Sequence, residues 1–172
     1  MDANAIGSVV GRLIVYLIFI LPALLFLFTQ QRTLSAIRPE YRELKAGMVW
    51  LQLIPVFNLY WMFVVVTRIA DSISKELVAL QDDSILGLPD FDAVTAVSHR
   101  PTYKIGMAYC SIFLIFPVTV ILGNIIGHWA PEIVERVWPA VWRIAALAAI
   151  TCWIVYWVQL AQYKRKLQGL QF

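Results

Sequence analysis

Charged and metal-binding side chains are scarce in this sequence. Asp, Glu, Lys and Arg make up 15% of its 172 residues, against about 25% in an ordinary soluble domain. That is too little charge to cover a water-exposed surface. The two cysteines, Cys110 and Cys152, each lie in an apolar run, and no Cys-x-x-Cys pair occurs. A disulfide framework and a structural zinc site are thereby excluded, and each thiol is expected to be buried as a small hydrophobe. The two histidines, His99 and His128, would lie about 43 Å apart along a helix, too far to share a metal or a haem within one subunit. HExxH, GxSxG, P-loop and GxGxxG patterns are all missing, so neither a catalytic residue nor a cofactor is expected. The net charge of +3 is small and dispersed, which excludes the basic stripe of a nucleic-acid binder.

Apolar residues are abundant, at 60% hydrophobic and a mean hydropathy of +0.72. This composition requires that much of the surface face lipid, so the chain reads as one integral membrane domain, residues 1–172. A crossing helix needs about 20 mostly apolar residues, and four stretches qualify: Val9–Thr29, Met48–Val66, Ile105–Gly127 and Pro139–Ala161. Their length and lack of alternation predict helices, hence an all-α four-helix transmembrane bundle. The first stretch lacks a basic leading cluster and a small-residue cleavage site, and at about 20 residues it is too long for a signal h-region. Trp138 and Trp142 at one end of the fourth stretch, with Trp153, Trp157 and Tyr163 at the other, suggest two aromatic belts. An even number of spans puts both termini on one side. Eight Lys and Arg then share the side of the termini and six the other, which points to cytoplasmic termini.

Between the spans, Pro39 and Glu40 fit the first turn of a short helix. The brief "HWAPEIVERVW" joins spans three and four as a hairpin. After the second span, Val66, Ile69, Ile73, Leu77 and Leu80 recur every three or four residues, which predicts an amphipathic cytoplasmic extension over residues 67–80. An acidic loop over 81–100 follows. Its Asp82, Asp83, Asp90 and Asp92 match no calcium-loop spacing.

Three segments, "RPEYRELKAGMVWLQLIPVFNLYWMFVVVTRIADSI", "RPTYKIGMAYCSIF" and "CWIVYWVQLAQYKRKL", resemble in this order a family of small, uncharacterised four-span bacterial membrane proteins. The resemblance runs from Gln31 to Leu167, and its most specific part is the "PE-R…G-VWL-LIP-FN" block. It implies a bacterial inner-membrane location and carries over no activity and no catalytic residue.

"LQLIPVFNLYW" places Pro55 and Asn58 inside an apolar run. Pro55 has no N–H for the Leu51 carbonyl, which predicts a kinked second span with Asn58 as an interhelical hydrogen-bonding group. Gln52, a little over a turn and a half earlier, need not share that face. Pro22 and Pro117 interrupt the ladder in spans one and three. Gly123 and Gly127, with Asn124 beside them, and Ala145 with Ala149 form small-residue packing faces. Arg143 can snorkel to the headgroups or pair with Glu132 or Glu135. Arg38, Arg42 and Lys45 in the first loop are candidate contacts for lipid phosphates. Three roles follow. The first is a non-enzymatic protein acting through helix–helix contacts, as a homo-oligomer or an accessory subunit of another membrane protein. The second is an oligomeric channel or small transporter lined by the kinked span. The third is a lipid-headgroup enzyme.

Overall fold

The computed structural model describes residues 3–82, 100–129 and 131–170. Four α-helices make up most of it: α1, Ala3–Ser35; α2, Pro55–Asp82; α3, Tyr103–Trp129; and α4, Pro131–Leu170. Short 3-10 helices cover Pro39–Tyr41 and Ala46–Leu53. Among the described residues there is no strand. Each α-helix contains a stretch long and apolar enough to cross a membrane: Tyr16–Ser35, Pro55–Leu80, Tyr103–Trp129 and Glu135–Gly169. Most of the expected acidic loop, with Asp83, Asp90, Asp92 and His99, lies outside the described residues.

The expected kink at Pro55 is instead a complete break. Ile54, the residue before the proline, is extended at φ −83°, ψ 110°, because the proline ring crowds the α region of its predecessor. Pro55 then occupies the first position of α2, where its missing N–H costs nothing. The Leu51 carbonyl is not orphaned, since the Ile54 N–H donates to it at 3.2 Å. The Ile54 carbonyl accepts the first bond of α2 from the Asn58 N–H at 2.7 Å.

At this break the chain reverses direction. The segment after α1 runs back along that helix: Trp50 Nε1 donates to Gln31 Oε1 at 2.7 Å and Gln52 Nε2 to Gln30 Oε1 at 2.6 Å. Beyond Pro55, α2 retraces the same segment. Trp61 Nε1 donates to the Met48 carbonyl at 2.9 Å, the Glu43 N–H to Ser72 Oγ at 2.9 Å, and Arg38 Nε to Glu76 Oε1 at 3.0 Å. The start of α2 thus sits beside the middle of α1, and Glu76 sits beside the residues that follow the end of α1. These two helices run parallel.

The remaining directions follow from contacts. Gly106 of α3 lies against Val66 of α2 and Tyr156 of α4, Gly123 lies against Trp138, and Arg100 pairs with Asp71 at 3.0 Å. The third helix is therefore antiparallel to its neighbours and forms the expected hairpin with α4. The fourth helix runs parallel to α1, with Trp153 against Phe26 and Trp157 Nε1 donating to Thr29 Oγ1 at 2.9 Å. The start of α1 and the end of α4 consequently lie at opposite ends of the bundle. An up-down-up-down path would have brought them together.

The core fills the end of the bundle shared by the end of α1, most of α2, the start of α3 and the end of α4. Phe26, Leu34, Ile37, Val66, Ile69, Ile73, Cys110, Tyr156, Leu160 and Leu167 are buried there. The stripe at Val66, Ile69 and Ile73 is fully inside, and Leu77 and Leu80 pack against it. The same face buries Ser72 and Glu76. Trp153 and Trp157 are partly buried and pack against this core. Together with Tyr109 and Tyr156 they surround the Phe26 ring edge-on, at centroid distances of 5.7–6.0 Å, the geometry that ring quadrupoles favour. The fourth helix starts at Pro131 rather than 139 and continues through Pro139, with Pro131 and Glu132 supplying a suitable first turn. The opposite half of the α3–α4 hairpin leaves Ile121, Ile125, Ile144 and Leu147 exposed.

Candidate functional site

The break before α2 lies on the wall of a cavity of about 440 Å³. All four α-helices and the second 3-10 helix contribute to it. Ala23, Phe26 and Leu27 come from α1, Gln52 and Leu53 from the 3-10 helix, and Asn58 from α2. Tyr109 and Phe113 come from α3, and Ala146, Ala149, Ile150 and Trp153 from α4. Leu53, Phe113 and Ile150 are also exposed, so the cavity opens sideways onto the apolar outer surface.

Its lining includes two side-chain amides, Gln52 and Asn58, beside Tyr109 and Trp153. Gln52 donates through Nε2 to Gln30 Oε1 at 2.6 Å and to the Val49 carbonyl at 3.2 Å. Both of its N–H groups are thus engaged, which leaves its oxygen as an acceptor. The Asn58 side-chain oxygen is buried and has no hydrogen-bond partner among the described residues, and the same holds for Nε2 of the fully buried Gln30. Unsatisfied buried amides are uncommon, and these two lie on either side of the chain reversal. Helical spacing did not place Gln52 on the face of Asn58. They line one cavity because residues 46–53 and α2 are the two arms of a hairpin.

The other sequence-derived candidates fall elsewhere. Gly123 is a true close-packing position, since a Cβ there would lie 2.8 Å from the Trp138 ring. Asn124, beside it, is exposed and donates to the Val120 carbonyl of its own helix at 2.9 Å. Gly127, Ala145 and Ala149 are half-buried, and Ala149 lines the cavity. Gly106, which sequence reading passed over, is the tighter contact. A Cβ there would lie 2.5 Å from Val66 Cγ1 and 2.9 Å from Tyr156 Cε2.

Two of the three first-loop cations are engaged within the protein. Arg38 pairs with the buried Glu76 at 3.0 Å and lies over the Tyr41 ring. Arg42 donates to the Ile37 and Ser35 carbonyls at 2.7 and 3.0 Å, capping the end of α1. Lys45 is exposed. Glu43 lies between Lys75 and Arg68. The hydrogen bond and charge of Lys75, with Arg68 adding to them, hold its carboxyl below its ordinary pKa. These pairs clamp the first loop onto α2. Arg143 and His128 are exposed, and Cys110 is buried and Cys152 half-buried, neither in a disulfide. Among the described residues no three His, Cys, Asp or Glu side chains converge.

No family model matches this chain, and no characterised protein or solved structure matches it.

Proposed function

We propose that this chain is a multi-pass membrane protein in which α1, α3 and α4 cross the bilayer and residues 46–82 enter it and return to the same side. The distribution of basic residues supports the arrangement. The helix directions gather Arg32, Arg38, Arg42, Lys45, Arg68, Lys75, Arg100, Lys104, Lys164, Arg165 and Lys166 at one end, leaving Arg12, Arg136 and Arg143 at the other. Eleven against three is a strong positive-inside bias, where four crossings would divide the same residues eight to six. The end of α4 is then cytoplasmic and the start of α1 external. Lengths agree with this. Arg12 to Arg32 spans about 30 Å of helix and Arg143 to Lys164 about 32 Å, which match a hydrocarbon core of about 30 Å. Pro55 to Arg68 spans only about 20 Å. A bacterial inner membrane is the setting that the sequence resemblance implies.

Within that membrane the protein acts by non-covalent binding rather than catalysis, and the re-entrant hairpin supplies the binding groups. The observation behind this reading is the position of the chain reversal. Irregular backbone at membrane depth is tolerated where protein covers it or where it lines a cavity, and here it lines one together with Gln52 and Asn58. A continuous ion path is less well supported, because the cavity wall is mostly apolar and aromatic. The test is native mass spectrometry of protein extracted in mild detergent. Wild type should carry a small lipophilic adduct that Ala149→Trp loses. Identical adduct patterns would overturn the binding role.

A second reading, a homo-oligomer or accessory subunit, draws on the exposed apolar residues Ile121, Ile125, Ile144 and Leu147 of the α3–α4 hairpin. It predicts a stoichiometric protein partner in the same extract, or a defined oligomer.

A further inference from the structure

We propose that the cavity takes a neutral amphiphile from the bilayer, with a slender apolar body and one head group that both donates and accepts hydrogen bonds, such as a hydroxyl or a primary amide. This rests on the binding role given to the cavity above.

Charge decides the first part. Among the described residues the wall contains no Asp, Glu, Lys, Arg or His. A charged head group there would be desolvated with no opposite charge beside it, which is strongly unfavourable in a low-dielectric site. The polar groups decide the second part. Gln52 offers an acceptor, because its N–H groups are engaged elsewhere. Asn58 carries a buried oxygen with no partner among the described residues, and rotation of its amide can turn either oxygen or NH2 toward the cavity. A hydroxyl satisfies both kinds of group at once, whereas an ether can only accept and leaves the Gln52 acceptor unmatched, and a hydrocarbon matches neither. Shape decides the third part. Ala23, Ala146 and Ala149 line it with little side-chain bulk, and Phe26, Tyr109 and Trp153 add flat rings to the wall. A volume of about 440 Å³ suits one small ligand. The opening at Leu53, Phe113 and Ile150 is apolar and exposed, so the ligand enters from lipid rather than from water.

Trp153 in the wall provides the readout. The protein is reconstituted in phosphatidylcholine vesicles, and its tryptophan emission is titrated with three brominated quenchers: 9,10-dibromostearyl alcohol, ionised 9,10-dibromostearate and 9,10-dibromooctadecane. The alcohol should quench a saturable component at a lower mole fraction than the other two, and Trp153→Phe should remove that component. Asn58→Leu should raise the half-saturating fraction of the alcohol about tenfold, the effect of one lost hydrogen bond, and leave the hydrocarbon unchanged. The wild-type ranking decides without any variant. Equal quenching by all three, or preference for the carboxylate, overturns the proposed head-group chemistry while leaving a binding cavity in place. Absence of any saturable component, with no effect of filling the space by Ala149→Trp, overturns the cavity's binding role itself.

Discussion

Gly106 offers the sharpest test of how α2, α3 and α4 fit together. A methyl group there would stand 2.5 Å from Val66 Cγ1 and 2.9 Å from Tyr156 Cε2, well inside the ~3.5–4.0 Å at which carbon atoms rest. Neither neighbour has room to withdraw, since Val66 is 1% and Tyr156 0% exposed. Overpacking of this kind costs about 1–3 kcal/mol, and the severity of the first contact argues for the upper half. The better helix propensity of Ala offsets up to about 1 kcal/mol. Gly106→Ala should therefore destabilise the bundle by about 1–2 kcal/mol. Val66→Ala removes the worse of the two clashes, so Gly106→Ala should be close to neutral in that background, a coupling of about 1–2 kcal/mol. The assay is reversible unfolding in mixed micelles, titrated with a denaturing detergent and followed by circular dichroism, for the wild type, both single variants and the double variant. A neutral Gly106→Ala, or strict additivity of the two changes, would refute the three-helix contact.

Further outcomes follow from the polar end of the bundle and from the outer hairpin. Arg38→Ala leaves the fully buried Glu76 without its guanidinium partner. Because the Arg38 side chain is 31% exposed, the loss should be about 2–3 kcal/mol, below the ~3–5 kcal/mol of a fully buried pair, and adding Glu76→Gln should recover part of it in the same titration. The folded-state pKa of Glu43 is lowered, so its contribution to stability is fully present above its ordinary value of 4.5 and is lost as pH falls through the lower folded value. Unfolding midpoints measured from pH 6 to pH 3 should fall less steeply in Glu43→Gln. Gly123→Leu drives a side chain into the Trp138 ring and should cost about 1–3 kcal/mol, and Trp138→Ala should relieve much of that cost.

Much of the fold was legible. Long apolar runs in which hydrophobicity does not alternate require helices. The stripe from Val66 to Leu80 marked the buried face of α2, and the brevity of the third connection required the α3–α4 hairpin. Helix direction was not legible for the second run. Hydropathy over Met48–Val66 reports that these residues prefer an apolar setting, and a segment that dips in and returns satisfies that preference as well as one that crosses. Pro55 signalled a break without giving its angle. What settles the angle is a set of contacts between distant positions, Arg38 with Glu76 and Glu43 with Ser72, which no local pattern encodes. The candidate site was half legible for the same reason. Asn58 and Pro55 stood out as polar and helix-breaking residues in an apolar run. The placement of Gln52 and Asn58 on one cavity depends on the reversal, and helical spacing did not require it. One signal was available: a division of basic residues as even as eight to six is weak for a membrane protein, and folding residues 46–82 back onto one side turns it into eleven to three.

The sidedness of two exposed lysines tests that re-entrant path most directly. In a background lacking Cys110 and Cys152, single cysteines replace Lys45 and Lys75, with Gly11 and Arg165 as markers for the two ends of the bundle. Oriented membrane vesicles are then treated with a membrane-impermeant maleimide from one face. The parallel arrangement of α1 and α2 predicts that positions 45, 75 and 165 label from one face and position 11 from the other. Labelling of 45 and 75 from opposite faces would mean that α2 crosses the bilayer, and would contradict the account.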